Sequence, residues 1–309
     1  MLVRPTNSQI EKEPGILAVA LEYFVACRPY TFTASVIPVM VTTAVVGGSF
    51  QSLEFFRTLS MGISVQSAAN LSNTYFDFVN GVDTKAMASG DKGLVDARHI
   101  TSAGVLILSI ICYTIGLGTV LPVFLQRADI MLPTIFFSGI ALAFFYTATP
   151  VGLKYKALGD VTIYVCFGPL LMQGSSIMMT GSITPSLYLY SIPVGLLTEA
   201  ILHANNSRDT KSDSDAGAIT LATILGVYNS YLLYVCLVGA SYTALAVISI
   251  FYHWGCCSAF LTAPLAWAVI KNFKAGRMAN TADDTAKFHL PFGLLMVLGI
   301  MYTKSGFLQ

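Results

Sequence analysis

The sequence predicts an all-α, polytopic membrane protein with about nine transmembrane helices, and three observations carry that expectation. Hydrophobic residues make up 55% of the 309-residue chain, charged residues only 11%, and the mean hydropathy is +0.68, a balance foreign to soluble domains. The apolar residues fall into nine stretches of roughly 17 to 25 residues, each able to cross a hydrocarbon core of about 30 Å as a helix. Lys and Arg also sort unevenly between the loops that join these stretches.

The stretches run 30-49, 58-79, 101-121, 131-148, 158-179, 185-206, 226-250, 254-271 and 287-304, and 217-254 admits another division. The first opens after Arg28-Pro29, which could simply anchor it at the interface. The second and sixth end in polar runs. Pro38, Pro169, Pro193 and Pro264 lie inside spans and predict kinks, which neighbouring helices can accommodate. The six cysteines, Cys27, Cys112, Cys166, Cys236, Cys256 and Cys257, lie in or beside apolar runs without disulfide or zinc spacing, so they read as small hydrophobes. Neither the first fifteen residues nor the terminal GFLQ carries a cleaved signal or a lipidation box. Insertion is therefore expected from the internal spans.

Orientation follows from charge. The N-terminus and the even-numbered loops hold 14 of the 17 Lys and Arg, while the other side holds Arg57, Arg127 and Lys304. That bias predicts a cytosolic N-terminus, an odd number of spans and a C-terminus on the far side. Net charge is +1, which gives no reason to expect a nucleic-acid partner.

Two polar segments on the basic face concentrate the chemistry. In the first, Asn70, Asn73 and Asp77 lie within about 60° on one helix face; in the second, Asn205, Asp209 and Asp213 span about 80°. Both contain Asn-x-x-x-Asp, at Asn73/Asp77 and at Asn205/Asp209. Carboxylates in a spanning helix cost several kcal/mol, about 2.5 to 3.5 each on insertion scales, so they need a function or a partner. Paired Asp and Asn oxygens suit Mg²⁺, a hard ion commonly held by one or two carboxylates together with substrate phosphates. The two clusters could together grip two such ions bridged by a diphosphate. Lys92, Lys154, Arg208 and Lys211 are available to neutralise its charge, and apolar helix walls could accept a hydrophobic tail.

Each residue also has a plainer reading. Asn and Asp close helices and turns, loop carboxylates such as Asp83, Asp91 and Asp215 are usually solvated, and Lys154 and Lys156 could be topology signals alone. Recurrence of the pattern on one membrane face favours the ligand reading. Glu199 shares a face with His203 and Asn206 and is expected in a polar cavity rather than against lipid. The four histidines lack metal-ligand spacing. The sequons Asn70-Leu71-Ser72 and Asn205-Asn206-Ser207 are expected to stay unmodified, because they face the cytosol or lie in the membrane. A secondary transporter is the main rival, but its sites usually sit at the bilayer midplane. An aspartyl intramembrane protease needs two Asp within the bilayer and no metal.

The paired segments, the loop Asp91-Lys-Gly-Leu-Val-Asp96, Phe145-Tyr146-Thr147, Lys154-Tyr-Lys-Ala-Leu-Gly-Asp160 and above all HANNSRDTKSDSDAG (203-217) resemble the UbiA superfamily of intramembrane prenyltransferases, and within it the animal branch that makes menaquinone. The likeness runs from about Arg28 to the last span. It implies a cytosolic N-terminal segment, 1-27, before a transmembrane domain, 28-309, whose helices ring a central cavity capped by the aspartate motifs. It implies Mg²⁺ as cofactor, held by Asn73, Asp77, Asn205, Asp209 and Asp213, with Asp77, Asp209 and Asp213 carrying catalysis. Arg28, Asn70, Lys92, Tyr146, Lys154, Asn206, Arg208 and Lys211 would bind substrate. The implied substrates are geranylgeranyl diphosphate and a naphthoquinone acceptor, in endoplasmic reticulum and Golgi membranes, with a sterol-synthesis enzyme as a further partner. The sequence departs from the family pattern at Thr74, at Asn80-Gly81 and at Lys92-Gly93, where a Lys in place of Arg keeps the charge and loses the two-pronged contact.

Overall fold

A computed structural model describes residues 15–82, Val95, 100–127 and 130–307, with side chains through Thr303. Lys92 and the loop acids Asp83 and Asp91 lie outside the described residues. Helical structure covers every one of the nine apolar stretches, and no strand forms among the described residues. The longest element outside the nine stretches is α1 (Ile16–Ala26), which precedes Arg28 and meets α2 (Thr33–Val46) at a bend of 49°. The chain then continues through α3 (Leu53–Val79), α4 (Ser102–Arg127), α5 (Met131–Phe145), α6 (Gly159–Thr180), α7 (Leu187–Arg208), the short α8 (Thr210–Asp215), α9 (Leu221–Phe251), a 3₁₀ stretch (Trp254–Thr262) leading into α10 (Ala263–Lys274), and α11 (Thr281–Phe307).

Six of these helices are long and apolar enough to cross a membrane: α4, α6, α7, α9, the Trp254–Lys274 unit and α11. The bent α1–α2 pair raises the number to seven. The protein is an integral membrane protein on this architecture. Helix α3 is long but its inner half carries the polar site residues, and α5 has only 15 residues, which is why neither counts among the six.

Local sequence explains the ends and breaks. Ser52 caps α3 by accepting the Phe55 N–H at 3.1 Å, and Thr220 and Thr223 form a reciprocal capping box at the start of α9. Pro169 lies in a π-helical turn, Cys166–Leu170, within α6. Pro264, expected to kink a span, instead starts α10, where a missing N–H costs no helical bond. Gly226 breaks α9 with φ 69° and ψ 174°, a conformation essentially restricted to glycine.

Two buried clusters organise the bundle. The larger joins α2, α7, α9, α10 and α11 through residues such as Ile37, Leu197, Tyr234, Phe273 and Phe292. There the Gly255 and Gly299 backbones meet so closely that a Cβ on Gly299 would lie 2.3 Å from the Gly255 carbonyl carbon. The smaller joins α3 to α6 through Met61, Val120, Leu132, Phe136 and Ile177. Between these halves the chain leaves a cavity, and the inner ends of α3 and α7 both reach its mouth.

Candidate active site

The mouth is assembled by two loops and two helix ends. The loop after α5 folds back on itself through the Lys154 N–H, which donates to the Tyr146 carbonyl at 2.8 Å. Gly152 permits the turn: its φ is 49°, and a Cβ there would lie 2.8 Å from the Tyr155 ring. The loop is then tied to the segment before α9 by the Ala157 N–H, which donates to the Ile219 carbonyl at 2.9 Å. These contacts bring Lys154, from one polar segment's neighbourhood, between the two aspartate clusters.

Lys154 is buried, and its Nζ donates to both carboxylate oxygens of Asp77, at 2.8 and 3.1 Å. The Tyr155 hydroxyl donates to the same carboxylate. Burial alone would lower the Lys154 pKa, but the Asp77 and Asp213 carboxylates outweigh it and hold the ammonium above its ordinary value. Burial, and then the Asp77 charge, push the Tyr155 phenol up, so it remains a donor. In the second cluster Arg208 grips Asp209 with two parallel bonds, Nε to Oδ1 at 2.8 Å and Nη2 to Oδ2 at 2.9 Å. Asp213 is 1% exposed and close enough to act on Lys154 electrostatically.

The cavity and its open mouth together enclose about 1160 Å³ of space. Arg28, Asn70, Asn73, Lys154, Asn205 and Asn206 line its polar end together with Tyr146, and mostly apolar residues, the majority from α3 to α6, line the rest. Seven of the residues expected at the site therefore share one cavity wall, and Asp77 adjoins it through Lys154. Asp209 and Arg208 pair with each other and are not part of that wall; Lys211 is exposed on α8. Asn70 has a more specific task than expected: its Nδ2 donates to the Cys27 carbonyl at 2.8 Å and pins the bend that presents Arg28 in a left-handed conformation with φ 54°. Gln66 extends the same wall, donating to the Thr31 carbonyl at 2.8 Å and accepting from Ser35 at 2.5 Å.

The donor set fits a hard divalent cation. Asn205 Oδ1 is buried with no hydrogen-bond partner, it shares the cavity mouth with Asn73, and the C-terminal ends of α3 and α7 add the negative pole of their dipoles. Asn73, Asp77, Asn205, Asp209 and Asp213 are the residues that would hold Mg²⁺.

Sequence reasoning missed two features. Tyr155 stands between Lys154 and Lys156, and a phenol beside a conspicuous Lys is a usable signal. Behind the Tyr146 wall, Asp160, Glu199 and His203 form a buried cluster with ligand atoms within 4.8 Å of one another. His203 Nδ1 lies 2.9 Å from Asp160 Oδ1 and Nε2 lies 3.1 Å from the Ser230 carbonyl, so α6, α7 and α9 are pinned together beside the Gly226 break. Glu199 and His203 thus pack behind the cavity wall and not in it.

Comparison with known proteins agrees with this geometry. The sequence model of the UbiA prenyltransferase family matches residues 35–298. UbiA prenyltransferase domain-containing protein 1 of Xenopus tropicalis is 36% identical over 97% of this chain and 88% of its own length; the human protein of that name is 35% identical over 92% and 84%. Among solved structures, a UbiA homolog from Aeropyrum pernix shares the fold with a TM-score of 0.67 at 14% identity, covering 86% of this chain and 97% of its own. One from Archaeoglobus fulgidus bound to GPP and Mg²⁺ does so with a TM-score of 0.62 at 14% identity, covering 92% and 98%. A polar mouth that joins Asn73 of α3 to Asn205 of α7 over an apolar cavity, a family match spanning most of the sequence and relatives alike along nearly its full length lead to one assignment: the chain belongs to the UbiA prenyltransferase family and is an intramembrane prenyltransferase.

Proposed function

We propose that the protein transfers a geranylgeranyl group from its diphosphate to a naphthoquinol, making a menaquinone, with Mg²⁺ as cofactor. The observation that carries this reading is the cavity, whose mouth, lined by Arg28, Lys154 and four asparagines beside the Lys154-bound Asp77, opens onto a long apolar interior, the polarity profile of a prenyl diphosphate. Its motifs resemble those of menaquinone-making relatives, and that likeness supports the acceptor. Bound Mg²⁺ would stabilise the negative charge that develops on the diphosphate leaving group. Lys154 and Arg28 would bind and orient the phosphates. Asn205 and Asn206 would fix the polar end of the substrate, and the buried wall would keep water from the allylic cation. The Tyr146 face, at the junction of the polar and apolar parts, would stabilise positive charge on the allylic carbon. Attack by an electron-rich ring carbon forms the new C–C bond, and loss of the ring proton or of a substituent restores aromaticity.

The same reading extends to membrane placement. Nine spans, with α3 and α5 crossing in addition to the seven above, put the mouth at the cytosolic face, in endoplasmic reticulum or Golgi membranes. A sterol-synthesis enzyme is a proposed partner on the family likeness alone. Transfer of labelled geranylgeranyl to menadiol by purified protein tests the function; loss of transfer with other quinone precursors accepted instead would redirect the acceptor.

A further inference from the structure

The depth of the cavity can be measured along its helices. On the α5 wall the lining runs from Tyr146 at the mouth to Leu132, fourteen residues, or about 21 Å at 1.5 Å per residue. On α3 it runs from Asn73 to Met61, twelve residues, or about 18 Å. The far end is closed: Met61, Val120, Leu132 and Phe136 belong to one packed cluster and are each at most 8% exposed. With carbon–carbon bonds of ~1.5 Å, an extended isoprene unit of four bonds advances about 5 Å. Four units, about 20 Å, fill the distance from mouth to floor.

We infer that this cavity is a ruler that sets the donor at four isoprene units, with its floor at Leu132 and Phe136 and its most sensitive mark at Gly139. The inference rests on the reading of the mouth as the diphosphate site. Gly139 lines the cavity seven residues below Tyr146, about 10 Å down the α5 wall, where the second unit ends and the third begins. A Cβ placed there meets no atom within 4 Å, so position 139 faces open space that a side chain would fill. A large residue at 139 obstructs the third and fourth units and spares the first two, because close-packed walls give way only at a cost. Removing side chains at the floor extends the scale instead.

The test compares geranyl, geranylgeranyl and geranylfarnesyl diphosphates with the full chain in nanodiscs, using menadiol as acceptor and, separately, thermal shift with the non-hydrolysable thiolodiphosphates plus Mg²⁺ to read binding without chemistry. Gly139→Phe, with Gly139→Leu as the milder form, is expected to lower the geranylgeranyl-to-geranyl ratio of kcat/KM at least ~30-fold and to lower the binding ratio in the same direction. Leu132→Ala combined with Phe136→Ala is expected to raise the geranylfarnesyl-to-geranylgeranyl ratio. Ratios unchanged in both sets, with donors still bound, overturn the ruler and leave the site intact. Failure of the unsubstituted chain to bind any of the three donors overturns the ruler together with the reading of the mouth.

Discussion

Lys154 Nζ stands 2.8 and 3.1 Å from the two carboxylate oxygens of Asp77, although 77 positions separate them in sequence. The contact joins the inner end of α3 to the loop after α5, and both partners are almost fully buried. A buried ion pair of this kind gives little net stability by itself, since desolvation offsets most of the attraction, but leaving one member alone is costly. The pair therefore reads as a charge arrangement kept for the mouth's chemistry, and the predictions that follow separate that role from stability.

Asp77→Asn should reduce product formation at least ~100-fold while leaving inserted protein, because it removes an anionic metal ligand. It should also lower stability by up to about 3 kcal/mol by stranding the Lys154 charge. Adding Lys154→Met to the same chain should recover most of the stability and none of the activity. Thermal unfolding and turnover on one set of samples check both; recovery of turnover in the double variant would remove Asp77 from the metal set.

The two cationic grips make conservative exchange informative. Positive-inside orientation depends on counted charge, so Lys154→Arg and Arg208→Lys should leave topology unchanged. Arg208 holds Asp209 through two bonds that a Lys cannot reproduce. Arg208→Lys should therefore lose about 1 to 3 kcal/mol of transition-state stabilisation, read as kcat/KM for the diphosphate. Unchanged kinetics in both exchanges would reduce these residues to topology signals.

Topology itself is open to direct measurement. In a background without the native cysteines, Ser214→Cys on α8 should react with an impermeant thiol reagent from the cytosolic side. Ser182→Cys, in the loop between α6 and α7, should react only from the other side. Glycosylation at Asn70 or Asn205 in mature protein contradicts this orientation.

The cluster behind the wall gives a prediction about structure alone. His203→Ala removes the shared partner of Asp160 and the Ser230 carbonyl, leaving a buried carboxylate uncompensated. The expected result is a Tm lowered by several degrees with the diphosphate KM of the surviving enzyme little changed, since His203 does not line the cavity. A selective rise in KM would place the cluster in substrate binding.

How far the sequence spoke depends on the range of the interaction. Helices were legible because apolar length is a local property, and the placing of Asn73 and Asp77 on one helix was legible from their spacing on α3; the single-helix arc expected for Asn205, Asp209 and Asp213 does not form, because α7 ends at Arg208 and Asp213 lies on α8. The pairing of Lys154 and Tyr155 with Asp77 was not, since it depends on a loop folding back through Gly152. The Asp160–His203 contact spans 43 positions, so no spacing rule could have found it. Helix α1 lies outside the long apolar runs, and Arg28, which the sequence offers both as an interface anchor and, from the family likeness, as a substrate-binding residue, lines the cavity at the bend that α1 makes with α2.

The central claim is Mg²⁺-dependent prenyl transfer at the meeting point of the two aspartate clusters. The most direct measurement incubates the purified chain in nanodiscs with labelled geranylgeranyl diphosphate and menadiol, with Mg²⁺ and with chelator. The account predicts labelled menaquinone only with Mg²⁺, and only background product from Asp77→Asn and Asp209→Asn at matched protein. No product from the unsubstituted chain with Mg²⁺, or equal product in the presence of chelator, would contradict it.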